Sequence, residues 1–271
     1  MPFVSIEESP LAPGVSPVEI YYREMGSGMP LVFLHGGWGY EIYPFDRQIE
    51  AFRERFRIII PDRTGYGRSG WLADFPTDFH RRAAGETMRL LDALRIERAI
   101  LWGHSDGAVI AAMLGLDAPE RFYGLILEAF HFYRVKPGSH EFFEQMVMNP
   151  ERLGERVCAT LAEAHGADYW RTLLVMNGEA WLQIADESAH PRQDLYGGRL
   201  AELKTPAIFI HGSRDPRTEP DELDAIRRQL PGVPIRVIEE AGHSPHSERA
   251  AAESIRLAGE FLDAIGRESG L

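Results

Sequence analysis

The five residues Gly103-His104-Ser105-Asp106-Gly107 stand between the apolar run 98–102 and the helix-like stretch Ala108 to Leu116. A strand that turns at once into a helix is a tightly constrained junction. Glycines on either side of the turn lack a β-carbon, so the two elements can close on each other and force the central serine outward as a nucleophile elbow. Ser105 is therefore the candidate nucleophile. A serine hydroxyl is too weakly acidic to attack a carbonyl unaided, so the chain must also supply a base and a group that orients it.

Both residue types follow downstream in loops that close short strands. Thr205 to His211 reads as a buried strand ending in Gly212-Ser213-Arg214-Asp215-Pro216, and Val233 to Glu239 as another, followed by Glu240-Ala241-Gly242-His243-Ser244-Pro245-His246. In the order Ser105, Asp215, His243, the histidine takes the serine proton, and the carboxylate fixes its tautomer and stabilises the imidazolium. His246 is the alternative base; lying past Pro245, it reads as a local hydrogen-bonding residue. Upstream, Pro30 to His35 runs into Gly36-Gly37-Trp38-Gly39. A glycine-rich turn at a strand end exposes backbone N–H groups, so the amide of Gly37, with Trp38 as the alternative, pairs with the amide of Asp106 as an oxyanion hole.

With His-Gly-Gly-Trp-Gly at 35–39, Asp-Arg-Thr-Gly-Tyr-Gly-Arg-Ser at 62–69, Gly-His-Ser-Asp-Gly at 103–107, His-Gly-Ser-Arg-Asp at 211–215 and Gly-His-Ser-Pro-His at 242–246, nearly the whole chain resembles the α/β-hydrolase superfamily. The resemblance implies that fold and a Ser-His-Asp triad, but little about substrate, because the superfamily hosts many chemistries. Its dehalogenases and epoxide hydrolases use an aspartate where this chain has Ser105, which disfavours both. Two departures stand out: Asp106 replaces a commonly neutral residue, and Ala108 a frequent glycine. Some members place the triad acid after the strand that here ends in Glu128; loop spacing to His243 favours Asp215, leaving Glu128 as a pocket-facing substrate contact.

Asp106 has two readings. It is a helix N-terminal acid favoured by the dipole, or a pocket carboxylate that selects a cationic group such as an α-amine. The motif Gly-x-Ser-Asp-Gly resembles hydrolases of amino-acid esters, in keeping with the second. His243-Ser-Pro-His246 has metal-like spacing, but Pro245 keeps the two rings off one helical face, and no metal site is expected. His35 and His211, each ending a strand before glycine, read as satisfied structural histidines, and His104 as a packing residue. The turn 62–69 reads as a buttress for the oxyanion loop.

Strand-like runs at Val18 to Glu24, Leu31 to His35, Phe56 to Pro61, Arg98 to Trp102, Tyr123 to Glu128, Ala207 to His211 and Ile235 to Glu239 alternate with helical stretches. This predicts an α/β fold: a mostly parallel twisted sheet with helices on both faces, its first strand an antiparallel edge. Ser105, Asp215, His243 and Gly37 all fall at carboxyl ends of strands, where such sheets bind ligands. From Phe132 to Tyr196 the alternation lapses into helix formers and aromatics, among them Trp181, a candidate pocket residue. The resemblance identifies residues 132–196 as an inserted helical cap on a core of 1–131 and 197–271.

A net charge of −12 argues against nucleic-acid or anionic-membrane partners. With Cys158 the single cysteine, no intrachain disulfide can form, and residues 1–10 carry no leader pattern, so a cytoplasmic site is expected. No apolar run approaches the roughly 20 residues that span a bilayer. The resulting expectation is a cofactor-free serine hydrolase acting on a small-molecule ester, lactone or related acyl bond through an acyl-enzyme. The alternatives are a C–C bond hydrolase, a cofactor-free perhydrolase on the same triad, or a non-catalytic ligand-binding member; oligomeric state is left open.

Overall fold

The structure, a computed structural model, describes residues 3–219 and 221–269. Eight strands form one sheet: β1 (Phe3–Ile6), β2 (Val18–Met25), β3 (Met29–Leu34), β4 (Phe56–Pro61), β5 (Ala99–His104), β6 (Phe122–Glu128), β7 (Ala207–Gly212) and β8 (Ile235–Ile238). Their spatial order is β1-β2-β4-β3-β5-β6-β7-β8. The β1–β2 and β2–β4 pairs are antiparallel, and every pair from β4 to β8 is parallel. The expected antiparallel edge needs correction. β2 is antiparallel but interior, and the edge belongs to β1, a four-residue strand with one buried side chain and therefore almost no hydrophobic signature.

Successive side chains of a strand point to opposite faces, and the core divides accordingly. Leu31 and Phe33 of β3 join Ile58, Ile60, Ile100 and Trp102 on the face covered by α1 (Asp46–Phe52) and α8 (Ala251–Ser269). Val32 and Leu34 join Ile59, Leu101 and Leu127 on the face covered by α2 (Phe79–Ala93) and α3 (Asp106–Asp117). Cover on both faces is why the central strands read as continuous apolar runs. Ten residues of α3, from Asp106 to Gly115, are buried, which explains a helix that is apolar all round.

Between β6 and β7 the chain forms α4 (His140–Met148), α5 (Glu155–His165) and α6 (Tyr169–Asp186); α7 (Glu222–Gln229) follows β7. His165, at the end of α5, bonds the Trp38 carbonyl through Nε2 at 3.0 Å and accepts the Gly67 N–H at Nδ1 at 2.9 Å. The Leu72 N–H donates to the Tyr169 hydroxyl at 2.9 Å. These bonds tie the helical segment to the loops that follow β3 and β4. Among the described residues no helix is long and apolar enough to cross a membrane.

Candidate active site

Ser105 is the single residue between β5 and α3, and it holds φ 55° and ψ −121°, a left-handed conformation costly for any residue with a β-carbon. The neighbouring glycines make the junction possible. A β-carbon on Gly103 would lie 2.2 Å from the Gly107 carbonyl oxygen, and one on Gly107 would lie 2.0 Å from that of Leu34. The turn is held by the Ser105 N–H donating to the Glu128 carbonyl at 2.9 Å and by the Ala108 N–H donating to the Ser105 carbonyl at 2.8 Å.

The structure brings Asp215 and His243 to this serine. Ser105 Oγ lies 3.1 Å from His243 Nε2, and His243 Nδ1 donates to Asp215 Oδ1 at 2.9 Å. Asp215 also accepts the Arg217 N–H on Oδ1 at 2.8 Å and the Thr218 hydroxyl on Oδ2 at 2.9 Å. Burial alone would raise its pKa, but His243 and the Arg217 N–H overcome it and hold the carboxyl well below its ordinary range. The site thus contains a hydroxyl, a base that can accept its proton, and a fixed negative charge behind the base.

The Gly37 loop lies against the elbow: a β-carbon on Gly37 would sit 2.7 Å from Asp106 Oδ2. Among the described residues, neither the Gly37 nor the Asp106 amide donates to a backbone or side-chain acceptor outside the regular elements. The buried Arg63 guanidinium donates to the carbonyls of His35 and Gly36, and His35 Nε2 accepts the Arg63 N–H at 3.2 Å. The carbonyls of His35 and Gly36 are thereby engaged, and the Gly39 N–H closes the turn on the Gly36 carbonyl at 3.3 Å. The turn 62–69 does buttress this loop.

Glu128 is not a pocket residue, contrary to the expectation from its strand-end position. It is 0 % exposed and accepts the His246 N–H at 2.9 Å and His246 Nδ1 at 2.6 Å on Oε1. Its Oε2 accepts from the Trp102 indole and the Ser254 hydroxyl, each at 3.3 Å. The His246 ring stacks on Phe45, with centroids 4.0 Å apart, and its Nε2 reaches the Tyr43 carbonyl at 3.0 Å. Glu128 therefore anchors the loop that carries His243. Burial opposes its ionisation, yet His246, through its ring and its backbone N–H, keeps its pKa below the ordinary carboxylate range.

A group with a depressed folded-state pKa adds stability above its unfolded pKa of about 4.3 and loses it as pH falls through the folded value. Glu128→Gln is expected to cost about 3 kcal/mol in urea unfolding at pH 7, the scale of a broken buried pair. The gap between the wild-type and variant stability curves should begin to narrow below about pH 4 and close as the pH falls through the folded value of about 2. A constant gap down to low pH would show that Glu128 contributes by packing alone.

The pocket in front of Ser105 has a volume of about 180 Å³, and its walls include Gly37, Trp38, Asp106, Phe143, Trp181 and Arg217. Asp106 is 2 % exposed. Its Oδ1 accepts from His80 Nε2 at 3.1 Å, while Oδ2 and the neighbouring Asn177 Nδ2 meet no hydrogen-bond partner. Burial works against its charge, but His80, Arg63 and the nearby Asn177 amide hold its pKa below the ordinary value. His211 is less satisfied than expected: Nδ1 lies 3.3 Å from the Thr218 hydroxyl, and Nε2 has no partner. His104 packs as expected, with Nε2 3.0 Å from the Ser244 hydroxyl.

One residue beside Ser105 escaped the sequence reading. His131 places Nε2 3.1 Å from Ser105 Oγ; a histidine three residues past a sheet strand end was the available signal. Among the described residues no group of three or more His, Cys, Asp or Glu side chains is placed to hold a metal ion.

The profile of the Alpha/beta hydrolase family matches residues 31–256. The chain is similar to Serine hydrolase BPHL of Homo sapiens, 26 % identical over 252 residues that span 92 % of this chain and 84 % of that protein. It is also similar to 2-hydroxy-6-oxononadienedioate/2-hydroxy-6-oxononatrienedioate hydrolase of Paraburkholderia phymatum, 28 % identical over 282 residues, with 94 % of this chain and 93 % of that protein covered. Among solved structures, an esterase from Thermogutta terrifontis superposes with a TM-score of 0.72 at 20 % identity, covering 97 % of this chain and 98 % of that one.

Proposed function

This chain belongs to the alpha/beta hydrolase family, and we propose that within it the chain is a serine hydrolase cleaving a small carboxylic ester or related acyl bond through an acyl-enzyme. The observation that carries the reading is the Ser105 hydroxyl 3.1 Å from His243 Nε2, with the opposite ring nitrogen held by buried Asp215. His243 takes the hydroxyl proton as Ser105 Oγ adds to the carbonyl carbon. The oxyanion that forms accepts from the Gly37 and Asp106 amides, with the Trp38 amide as the alternative to Gly37. Collapse expels the alcohol, which leaves with the proton from His243, and water repeats the sequence on the acyl-enzyme. Residues 132–196 act in this reading as a cap whose Trp181 and Phe143 close the pocket. A volume of about 180 Å³, below the usual range for ligand sites, suits a short acyl group.

Turnover of a panel of p-nitrophenyl and amino-acid esters, together with stoichiometric labelling of Ser105 by a fluorophosphonate, tests the proposal. A folded protein that does neither rules it out, and cleavage of a vinylogous 1,5-diketone alone would favour C–C bond hydrolysis.

Asp106 sharpens the substrate class. Its carboxylate, part of the pocket wall and held ionised, favours an acyl group bearing an ammonium over its role as a helix N-terminal acid. Asp106→Asn keeps the backbone amide and removes the charge. It should reduce the kcat/KM preference for amino-acid esters over neutral esters by about 10–100-fold, the worth of a charged hydrogen bond. An unchanged preference eliminates the cationic subsite.

A further inference from the structure

Ser105 Oγ has two imidazole neighbours at equal distance: His243 Nε2 and His131 Nε2, each 3.1 Å away. The two rings stand nearly parallel across the hydroxyl, 16° apart with centroids 5.8 Å from each other. A hydroxyl has one proton and so can donate to only one of them. The other ring must donate, and which one does so is decided by what each second ring nitrogen meets.

His243 Nδ1 faces the Asp215 carboxylate. A carboxylate only accepts, so that nitrogen carries the proton and Nε2 presents its lone pair to Ser105. His131 Nδ1 faces the Lys136 ammonium at 3.3 Å. An ammonium only donates, so this Nδ1 is the lone pair and Nε2 carries the proton. Lys136, 3 % exposed, is held by Glu222, 0 % exposed, to whose Oε2 it donates at 2.6 Å. Glu222 is fully engaged: Oε1 accepts the N–H groups of Phe132 and Tyr133 at 2.8 and 3.0 Å, and Oε2 accepts that of Glu219 at 2.8 Å. The Tyr196 hydroxyl fixes the backbone of His131 by donating to its carbonyl at 2.8 Å.

We infer that His131 is a second catalytic histidine, locked by the buried Lys136–Glu222 pair as a permanent N–H donor to Ser105 Oγ. The inference rests on Ser105 being the nucleophile. Burial first, and then the positive charge of Lys136 with contributions from His243, His80 and His211, push the His131 pKa well below its ordinary value, so the ring stays neutral. It cannot act as a rival base.

Its role is largest when Ser105 Oγ is the leaving group. In deacylation His243 takes a proton from water as the water oxygen bonds to the acyl carbon. The carbon–Oγ bond then breaks, its electron pair moves onto Oγ, and the proton on His243 follows. The His131 N–H faces that oxygen and stabilises its charge until the proton arrives. In acylation the same bond withdraws density from the attacking oxygen, so the gain there is smaller. Loss of the donor must therefore slow deacylation more than acylation.

The test uses His131→Phe, His131→Gln and Lys136→Met with p-nitrophenyl acetate followed from the first turnover. His131→Phe is expected to release a stoichiometric burst of p-nitrophenol and then turn over about 10²-fold more slowly, the scale of losing one donor to a developing oxyanion. His131→Gln, whose amide can donate, should recover part of that rate. Long-range ¹H–¹⁵N spectra read the lock directly. The imidazole signals missing from His131→Gln should show the Nε2–H tautomer in the wild type and a tautomer mixture in Lys136→Met. An Nδ1–H tautomer in the wild type overturns the lock even if activity is lost in every variant. Unchanged deacylation in a folded His131→Phe overturns the catalytic role. Failure of the wild type to react with a fluorophosphonate instead removes Ser105 as nucleophile, while the tautomer spectra judge the lock on their own.

Discussion

Ser105→Ala should lower kcat on the best ester by about 10⁶-fold, because removing the nucleophile of a serine triad costs nearly as much as removing the whole triad. What remains is expected to exceed the rate in water, since the Gly37 and Asp106 amides, proposed as the oxyanion hole, and the pocket walls are unaltered by the substitution. Thermal stability should stay at the wild-type level or rise, because alanine loses only a small polar group held at φ 55° between two rings. Retention of more than a tenth of wild-type activity by folded Ser105→Ala, free of contaminating esterase, would move the nucleophile elsewhere.

Asp215→Asn is expected to cost about 10⁴-fold in kcat, the penalty of presenting the wrong histidine tautomer. Asp215 Oδ1 also accepts the Arg217 N–H, and Oδ2 the Thr218 hydroxyl; a neutral amide there cannot stabilise the imidazolium in either orientation, and one of its two orientations presents an N–H to His243. With an N–H turned toward His243 Nδ1, the ring proton moves to Nε2. Ser105 Oγ would then face two N–H donors, His243 and His131, and no base. KM should change far less than kcat, since Asp215 does not line the pocket. A loss under tenfold would assign the orienting charge to another group. Glu128 is poorly placed to take over, because both its oxygens are committed to His246, Trp102 and Ser254.

The sheet was legible because each parallel strand carries its own evidence. Leu31 to Leu34 or Ile58 to Ile60 must be apolar on both faces when helices cover both. β1 was illegible for the opposite reason, being short, exposed and recognisable only through its pairing with Val18 to Tyr21. Ser105, Asp215, His243 and Gly37 could be proposed in advance because each sits in a strand-end turn whose glycines answer a local steric demand. Glu128 was misassigned on the same logic. Position at a strand end says that a side chain is near the site, not on which side of the sheet its partners lie.

Local sequence, through backbone sterics and hydrophobic periodicity, was enough to specify the elbow, the strand ends and the doubly covered sheet. Hydrogen-bond partners far apart in the chain were decided only by the tertiary structure. Glu222 looks like an ordinary acid in the first turn of a charged helix, yet it lies 86 residues from the Lys136 it holds. Glu128 is 118 residues from the His246 it anchors. A buried polar group must find partners wherever the fold places them. No local pattern records that choice, and so neither the direction of the Ser105 proton nor the tautomer of His131 could be read before the chain was folded.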